Sequence, residues 1–480
     1  MIFYKTLMLL IGISFSFSEI YDGYLLYSPA GGGGGQGGGG GNRYTQLIDN
    51  NLNIIHEWNH SAGCASMPYL RQDSILVYPY RVSNPSMDSG GVGGGVQYIA
   101  WDGTVLWDYV LSNNDYQHHH DVEPLPNGNV LMIAWERKHA TEAYSMGRQT
   151  LNNSLNQMWS EAIFEVEPYT GNIVWEWHLW DHLVQDRGPE YGATYGTISD
   201  HPELIDINYG NAGSNGGPGG ANGDWKHLNA IAYNADLDQI ALSSRHGDEI
   251  YIIDHSTTTE EAASHSGGNS GKGGDILYRW GNPQAYDRGS NAWHELDSQH
   301  GINWIPEGYP GAGNLILFNN GYSNSQSAAF EITPPIDANG NYIIEDGEPF
   351  GPSSTTWQQS SSSFKTDVQG GAFRLANGNT IVTEADDAHV FEIDYNGTIV
   401  WQFNPNVDMI ARATKYPIDY LEQSNPGDIN SDEVINILDV VLLVNIILGT
   451  NEFVPSADLN GDGIGNILDV VLLVNIILGS

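Results

Sequence analysis

The sequence predicts a mainly β chain, a six-bladed β-propeller followed by a small α-helical module built from two loop–helix repeats. Three observations predict it. A strand–turn–strand phrase whose second strand carries Trp returns six times, counting two looser copies. A second phrase, two apolar strands joined by a turn, precedes the first in four of those places. After about Pro417 the spacing becomes helical, and two near-duplicates, Asp428–Gly449 and Asp458–Gly479, start thirty residues apart.

The hairpins read in order as Thr45–Trp58, Tyr98–Tyr109, Phe164–Trp177 and Phe391–Phe403. The looser copies are YIID followed by Asp275–Trp280, and FEITPP followed by Trp357. Asn-Gly, Asp-Gly and Thr-Gly at their centres supply tight-turn chemistry. The inner-strand pairs are His120–Glu136, His227–Arg245, His300–Gly321 and Gly370–Ala385, with Asn-Gly turns in the first and last. Two strands plus two strands per repeat make a four-stranded blade, and six blades close a propeller around a channel.

Between blades lie Gly-rich inserts, Gly31–Gly41, Gly90–Gly95, Ala212–Gly223 and Gly267–Gly274, expected as flexible surface loops. None is followed by the helix and Lys that a phosphate-cradling loop needs, so no nucleotide cofactor is expected. The long insertion Asp181–Gly223, with His182 and His201, reads as a decoration of the propeller or a lid over its channel.

The chain has 480 residues, with 17 Lys and Arg against 58 Asp and Glu and a net charge of −41. Such a surface repels nucleic acid and anionic membranes. Residues 1–18 carry one Lys and a short apolar run ending in small residues, which reads as a secretory signal cleaved near Ser16 to Ser18. No stretch is suited to spanning a membrane, so the mature protein is expected to be secreted. The expected division is then 1–18 signal, 19–412 propeller, 413–426 linker and 427–480 helical module. Cys64 is the single cysteine, expected to be a buried structural thiol, and it permits no intrachain disulfide.

Aligning the blades puts His120, His227 and His300 in phase at the start of three inner strands, where side chains converge on one end of the channel. Asn229 and Arg245 belong to the same strand–turn–strand unit as His227. Three histidines suit a transition metal. Equally, one histidine can act as nucleophile while the others manage protons and charge. Arg245 favours the second reading, because a cation opposes a metal but stabilises a sulfuryl or phosphoryl group in transfer.

The segments HHDVEPLPNGNVL, DWKHLNAIAYN…QIALSSRH, SQHGINWIP…GNLILFNNG and ANGNTIVTE…VFEIDYNGTIVWQF resemble the bacterial aryl-sulfate sulfotransferase family, over about residues 45–405. The resemblance implies a six-bladed propeller that moves a sulfuryl group from an aryl sulfate to a phenol through a sulfated histidine. By motif, His300 would be the nucleophile, with His227, Asn229 and Arg245 holding the sulfuryl oxygens. His120 would be acid or base toward the phenol oxygen, with His119 as an alternative and His246 assisting at the substrate. Gly301 stands where the family often has Asp, and Asn319 likewise. An Arg usual shortly afterwards is absent, with Gln326 and Ser327 in that region. A propeller of this kind without turnover, acting as a binding scaffold, is the alternative, and a metal-dependent enzyme using the three histidines is a second.

In the helical module, Asp428, Asn430, Asp432, Asn436 and Asp439 occupy positions 1, 3, 5, 9 and 12 of an acidic loop. Asp458, Asn460, Asp462, Asn466 and Asp469 repeat the spacing. Oxygen ligands so spaced before a helix make a Ca²⁺ loop of EF-hand type, predicting two sites. Position 6 is Glu433 in the first loop and Gly463 in the second. The pair resembles a type I dockerin, which implies docking to a cohesin partner, in company that often degrades polysaccharides. The helix faces Ile437, Leu438, Val441, Leu442 and Ile467, Leu468, Val471, Leu472 are expected to be mostly core, with some positions available to a partner.

Overall fold

The structure, a computed structural model, describes residues 19–30, 43–217, 219–361, 364–421, 427–430, 434–451, 453–459 and 464–478. Six four-stranded antiparallel sheets form the six blades of a propeller. Each of the two phrases read from the sequence is one half of a blade. Blade 3, for example, is Tyr116–Pro124, Val130–His139, Gln157–Val166 and Ile173–His178. Blade 4 begins at Leu228–Asn234, blade 5 at His300–Trp304 and blade 6 at Gly371–Arg374. Residues 1–18, read from the sequence as a secretory signal, and Gly31–Gly41 lie outside the described residues.

The ring closes by mixing the two ends of the propeller. Thr414–Pro417 pairs antiparallel with Gly23–Leu26 and becomes the innermost strand of blade 1. The expected linker at 413–426 therefore begins with a propeller strand, which periodicity could not reveal because its partners lie at the other end of the chain. Lys415 fixes the closure with a buried ion pair to Glu392 at 2.7 Å.

The recurrent Trp has a physical role. In four of the blades the outer-strand indole is buried and donates its N–H to the neighbouring blade: Trp58 to Ala100 O, Trp175 to Thr257 Oγ1, Trp357 to Tyr395 O and Trp401 to Asn50 O. Each contributes apolar burial plus a hydrogen bond worth about 1 kcal/mol net. Because Trp401 reaches back to Asn50, the last blade is stapled to the first.

Two inserts differ from expectation. Gly94 and Gly95 begin a strand of blade 2, and Gly91–Gly93 lie against the histidine-bearing strand of blade 3. This segment is not a free loop. The insertion after blade 3 contains a small parallel sheet, Leu183–Gln185, Thr194–Tyr195 and Ile205–Asp206. It returns the chain to blade 4 through Asp224–His227. Cys64 is buried, donates to Ser66 O, and burial pushes its thiol up to about 12.

In the C-terminal module the helices are Ile437–Ile447 and Ile467–Leu478, each following an Asn. Asn436 caps the first by accepting from Leu438 N at 2.8 Å, and Asn466 repeats the contact with Leu468. The core is Leu443, Ala457 and Leu473. Ile437, Leu438, Val441 and their copies Ile467, Leu468, Val471 are more than half exposed, correcting the expectation of core. The helical period places 440, 443 and 446 inward instead. No helix among the described residues is long and apolar enough to cross a membrane.

Candidate active site

Three successive blades deliver the histidines. His120 lies within the inner strand of blade 3, His227 immediately precedes that of blade 4, and His300 opens that of blade 5. His120 and His227 hold φ of +54° and +55°, a left-handed conformation costly for non-glycine residues. The turned backbone brings their rings edge to face at 4.6 Å. Gly91 permits this, since a Cβ there would lie 2.0 Å from the His120 ring. His300 is close enough that Arg245, His227 and Arg412 all disfavour its protonation.

Each ring is oriented by a buried partner. His300 Nδ1 donates to Asn320 Oδ1 at 2.8 Å, and its Nε2 accepts from Gln369 N at 3.2 Å. These contacts fix the tautomer with the lone pair on Nε2. Burial and the neighbouring cationic groups hold His300 well below the usual imidazole range, so it is neutral. His227 Nδ1 lies 2.5 Å from Asp224 Oδ2. Burial pushes Asp224 up, but the charge and hydrogen bond of His227 outweigh it and hold the carboxyl well below its usual range. Trp135 and Ser89 complete the shell of Asp224.

His120 Nδ1 meets His119 Nδ1 at 2.9 Å, and His119 Nε2 meets Glu161 Oε2 at 2.9 Å. His119 is fully buried and stacks on Trp135 at 4.1 Å. With both nitrogens engaged it has no atom for a substrate, contrary to its place among the expected substrate contacts. Burial also keeps His119 and His120 well below the usual range and raises Glu161 well above it.

Arg245 is half-buried, and its guanidinium makes no hydrogen bond or ion pair among the described residues. Asn229 is buried and donates Nδ2 to Gln299 O at 2.7 Å, leaving Oδ1 buried without a partner. His246 is exposed and stacks on His227 at 4.7 Å.

Four neighbours were missed by sequence reasoning: Asn320, Asp224, Glu161 and Arg412. Asp224 and Asn320 stood inside quoted motifs, but no spacing rule marks an orienting partner. Arg412 is buried, paired with Asp121 at 2.6 Å and bonded to Ser66 Oγ, and reaches the site only because the ring closes. Asp121 also accepts from Tyr69, so it serves Arg412 rather than a histidine.

Two of the departures noted in the sequence have local explanations. Asn319 ties Asp297 N and Glu295 O into place and makes no bond to His300. Gly301 has φ +67°, and a Cβ there would lie 3.0 Å from Gly371 Cα and 3.1 Å from Gly370 O. A side chain there would press on the backbone of blade 6 and hold a φ that L residues rarely adopt.

The metal reading of the three channel histidines finds no convergent donor set. Among the described residues, the His and carboxylate groups that converge are Asp224–His227–His246 and His182–His265–Asp275, and neither contains His120 or His300.

In the acidic loops, Asp439 Oδ1 accepts from Ile429 N and Oδ2 from Asn436 N, both at 2.8 Å. Asp469 repeats this with Leu459 N and Asn466 N. Asp428, Asp439 and Asp469 are buried, and residues 427–480 contain no Lys, Arg or His. Buried carboxylates in an oxygen-only donor set fit a hard divalent cation. Asp432, Asn460 and Asp462 lie outside the described residues, as do Glu433 and Gly463.

The family model "Arylsulfotransferase (ASST)" matches residues 93–342, and the "Dockerin type I domain" model matches 426–478. No curated protein matches the chain significantly. Among solved structures, a protein of unknown function from Bacteroides caccae is 12% identical, covers 82% of this chain and 98% of its own, and has a TM-score of 0.42. A putative 6-phosphogluconolactonase from Bacteroides fragilis is 10% identical with the same coverages and a TM-score of 0.38. Virginiamycin B lyase from Staphylococcus aureus is 12% identical, with coverages of 80% and 89% and a TM-score of 0.34. Similarities this low carry no argument about activity.

Proposed function

Because the chain belongs to the arylsulfotransferase family and carries a type I dockerin domain, we propose that its propeller moves a sulfuryl group from an aryl sulfate to a phenol through a sulfated His300. The observation that carries this reading is the environment of His300: a buried, neutral imidazole with its lone pair held on Nε2, beside a guanidinium with no partner among the described residues. A neutral imidazole is the nucleophilic form. An unneutralised Arg245 at the same place suits an anionic sulfuryl group.

In the first half-reaction His300 Nε2 attacks sulfur, its contact with Gln369 N opening, and the S–O bond to the aryl oxygen breaks. Arg245, His227 and Asn229 stabilise charge on the three non-bridging oxygens, the task that dominates phosphoryl transfer as well. His120 gives a proton to the departing phenol oxygen. In the second half-reaction His120 removes the proton of the incoming phenol, which attacks sulfur and frees His300. His246 lines the outer side of the site through its stack on His227.

The dockerin is proposed to hold two Ca²⁺ ions through Asp428, Asn430, Asp432, Asn436 and Asp439 and through Asp458, Asn460, Asp462, Asn466 and Asp469. Ca²⁺ would cross-link each loop and set the exposed apolar helix faces for a cohesin partner. A secreted or surface-attached location accords with the signal-like start and with the dockerin. Assembly with polysaccharide-degrading enzymes would follow from company in such a complex, not from chemistry of this propeller.

The test is sulfuryl transfer from an aryl sulfate to an added phenol, with wild type and His300→Ala compared. Transfer by the wild type that vanishes in a folded variant supports the reading. No transfer from several donors would turn the proposal to a binding propeller displayed by a dockerin.

A further inference from the structure

We propose that Glu161, His119 and His120 form a buried proton relay that switches His120 between acid and base in successive half-reactions. This rests on the sulfotransferase reading and extends it to two residues that touch no substrate. The geometry is a continuous line: Glu161 Oε2 to His119 Nε2 at 2.9 Å, then His119 Nδ1 to His120 Nδ1 at 2.9 Å. His120 Nε2 has no hydrogen-bond partner among the described residues, and it lies where Gly91 lacks a side chain. Glu161 and His119 are completely buried, with Trp135 stacked on His119. Glu161 Oε1 accepts from Leu228 N, the residue after His227, so the carboxyl is locked in place.

Two nitrogens 2.9 Å apart share one hydrogen, so the tautomers of the line are coupled. With Glu161 protonated, its O–H donates to His119 Nε2, His119 Nδ1–H donates to His120 Nδ1, and His120 presents Nε2–H. With Glu161 ionised, its proton sits on His119 Nε2 and the His119 proton sits on His120 Nδ1, each one place further from the carboxylate, and His120 Nε2 presents a lone pair. Burial raises Glu161, which favours the protonated form at rest.

The protons balance. When the aryl oxygen leaves sulfur it takes the His120 Nε2 proton. His120 Nδ1 takes the His119 Nδ1 proton, His119 Nε2 takes the Glu161 proton, and Glu161 is left ionised. The acceptor phenol then gives its proton to His120 Nε2, the line runs backward, and Glu161 is protonated again. The negative charge rests on Glu161 during the life of the sulfated enzyme. The charged and titratable groups around the line are His118, Asp224 and His227 beside His119, and His227, His300 and Arg412 beside His120.

Glu161→Gln keeps a donor toward His119 but holds no exchangeable acid proton. The full-length variant is compared with wild type on 4-nitrophenyl sulfate, whose phenolate leaves unaided, and on phenyl sulfate, whose phenolate needs a proton. The relay predicts near-normal sulfation by the first donor and about 10²-fold slower sulfation by the second, with Glu161→Asp restoring part of the loss. Equal effects on both donors, or none, overturn it. Infrared spectra of wild type and Glu161→Gln supply a measurement independent of rate. A carboxylic acid band assigned to Glu161 that disappears on sulfation supports the relay, and a carboxylate already present at rest overturns it. If the folded wild type transfers from neither donor, the sulfotransferase reading fails and the relay with it.

A second, independent site stands on the insertions beside blades 3 and 4. The geometry points to a divalent transition-metal site formed by His182, His265 and Asp275. Asp275 Oδ1 lies 2.8 Å from His182 Nδ1 and 2.7 Å from His265 Nδ1. His182 Nε2 lies 2.8 Å from Ala262 O, a carbonyl that can only accept, so Nε2 carries hydrogen. Nδ1 is then the atom left to face a cation, and His182 Nδ1, His265 Nδ1 and an Asp275 carboxylate oxygen all lie within 4.8 Å of one another. A histidine anchored through its other nitrogen to a backbone carbonyl is the usual arrangement of a metal ligand. Trp177 stacks on His182 and fixes its plane. Imidazole and carboxylate donors together suit Zn²⁺ or Co²⁺ rather than Ca²⁺.

Co²⁺ added to the full-length Ca²⁺-loaded protein should give one equivalent of visible absorption, displaced by Zn²⁺. His265→Ala, at a half-exposed ligand, should weaken binding at least about tenfold without loss of fold, and Asp275→Asn should do the same. No absorption, or absorption unchanged in both variants, overturns the site and leaves a proton in the metal's place.

Discussion

Asn320 Oδ1 accepts a hydrogen bond from His300 Nδ1 at 2.8 Å, while the same amide's Nδ2 is tied to Thr366 O and Gln369 O. The amide therefore cannot turn, and the imidazole cannot exchange tautomers. Asn320→Leu should leave the propeller folded and cut transfer by about 10²-fold, because the lone pair is no longer confined to Nε2. Single-turnover sulfation of the enzyme by a fast donor checks this. An unchanged sulfation rate would mean that Asn320 does not set the nucleophile.

Arg245 acts on His300 through its charge, and its guanidinium has no hydrogen-bond or ion-pair partner among the described residues. Arg245→Ala should lower kcat/KM by about 10²- to 10³-fold, the usual cost of removing one charge-stabilising group. Arg245→Lys should recover only part of it, since an ammonium cannot reproduce the planar fork. Steady-state kinetics with one aryl sulfate measure both.

Gly91 is a steric requirement. It has φ +72°, and an added Cβ would overlap the His120 ring. Gly91→Ala should reduce transfer more than it reduces thermal stability, because the displaced ring belongs to the site. Paired activity and melting measurements separate the two effects, and wild-type activity in the variant would refute the contact.

His255 sits between Asp238 at 2.7 Å and Glu165 at 3.0 Å. Burial pushes it down, but the two carboxylates outweigh burial and raise it to about 9. A histidine raised on folding contributes stability that is complete below its unfolded value, about 6.5, and is lost as pH rises through its folded value. The melting temperature of the propeller should therefore fall between about pH 6.5 and 9 by an amount that His255→Gln abolishes. The contribution is on the order of 3 kcal/mol. A wild-type and variant difference that stays constant across that range would contradict the assignment.

Chelation of Ca²⁺ should act on the C-terminal module alone. Its carboxylates have no basic side chain to balance them within residues 427–480. Removing the cation should loosen the helices and abolish cohesin binding while sulfuryl transfer persists. Loss of transfer on chelation, with recovery on adding Ca²⁺, would place a Ca²⁺ requirement in the propeller.

Much of this molecule is written locally. Turn dipeptides and alternating strands depend on neighbours in sequence, so the blades and their number could be counted before any contact was known. The acidic loops are equally local, because all their candidate ligands fall within twelve residues. The phase of His120, His227 and His300 followed from the repeat, since equivalent positions in successive blades must face one axis.

What the repeat could not contain is what lies between repeats. Thr414–Pro417 is an inner strand only because Gly23–Leu26 comes round to meet it. Arg412 enters the site by the same closure. Glu161 stands behind His119 from two strands away within the blade, and Asn320 fixes His300 from the adjoining strand. Tautomer, protonation and the freedom of Arg245 depend on which groups are buried together. Burial is a property of the closed ring, so these were decided by tertiary structure, while the residues able to perform the chemistry were already fixed along the chain.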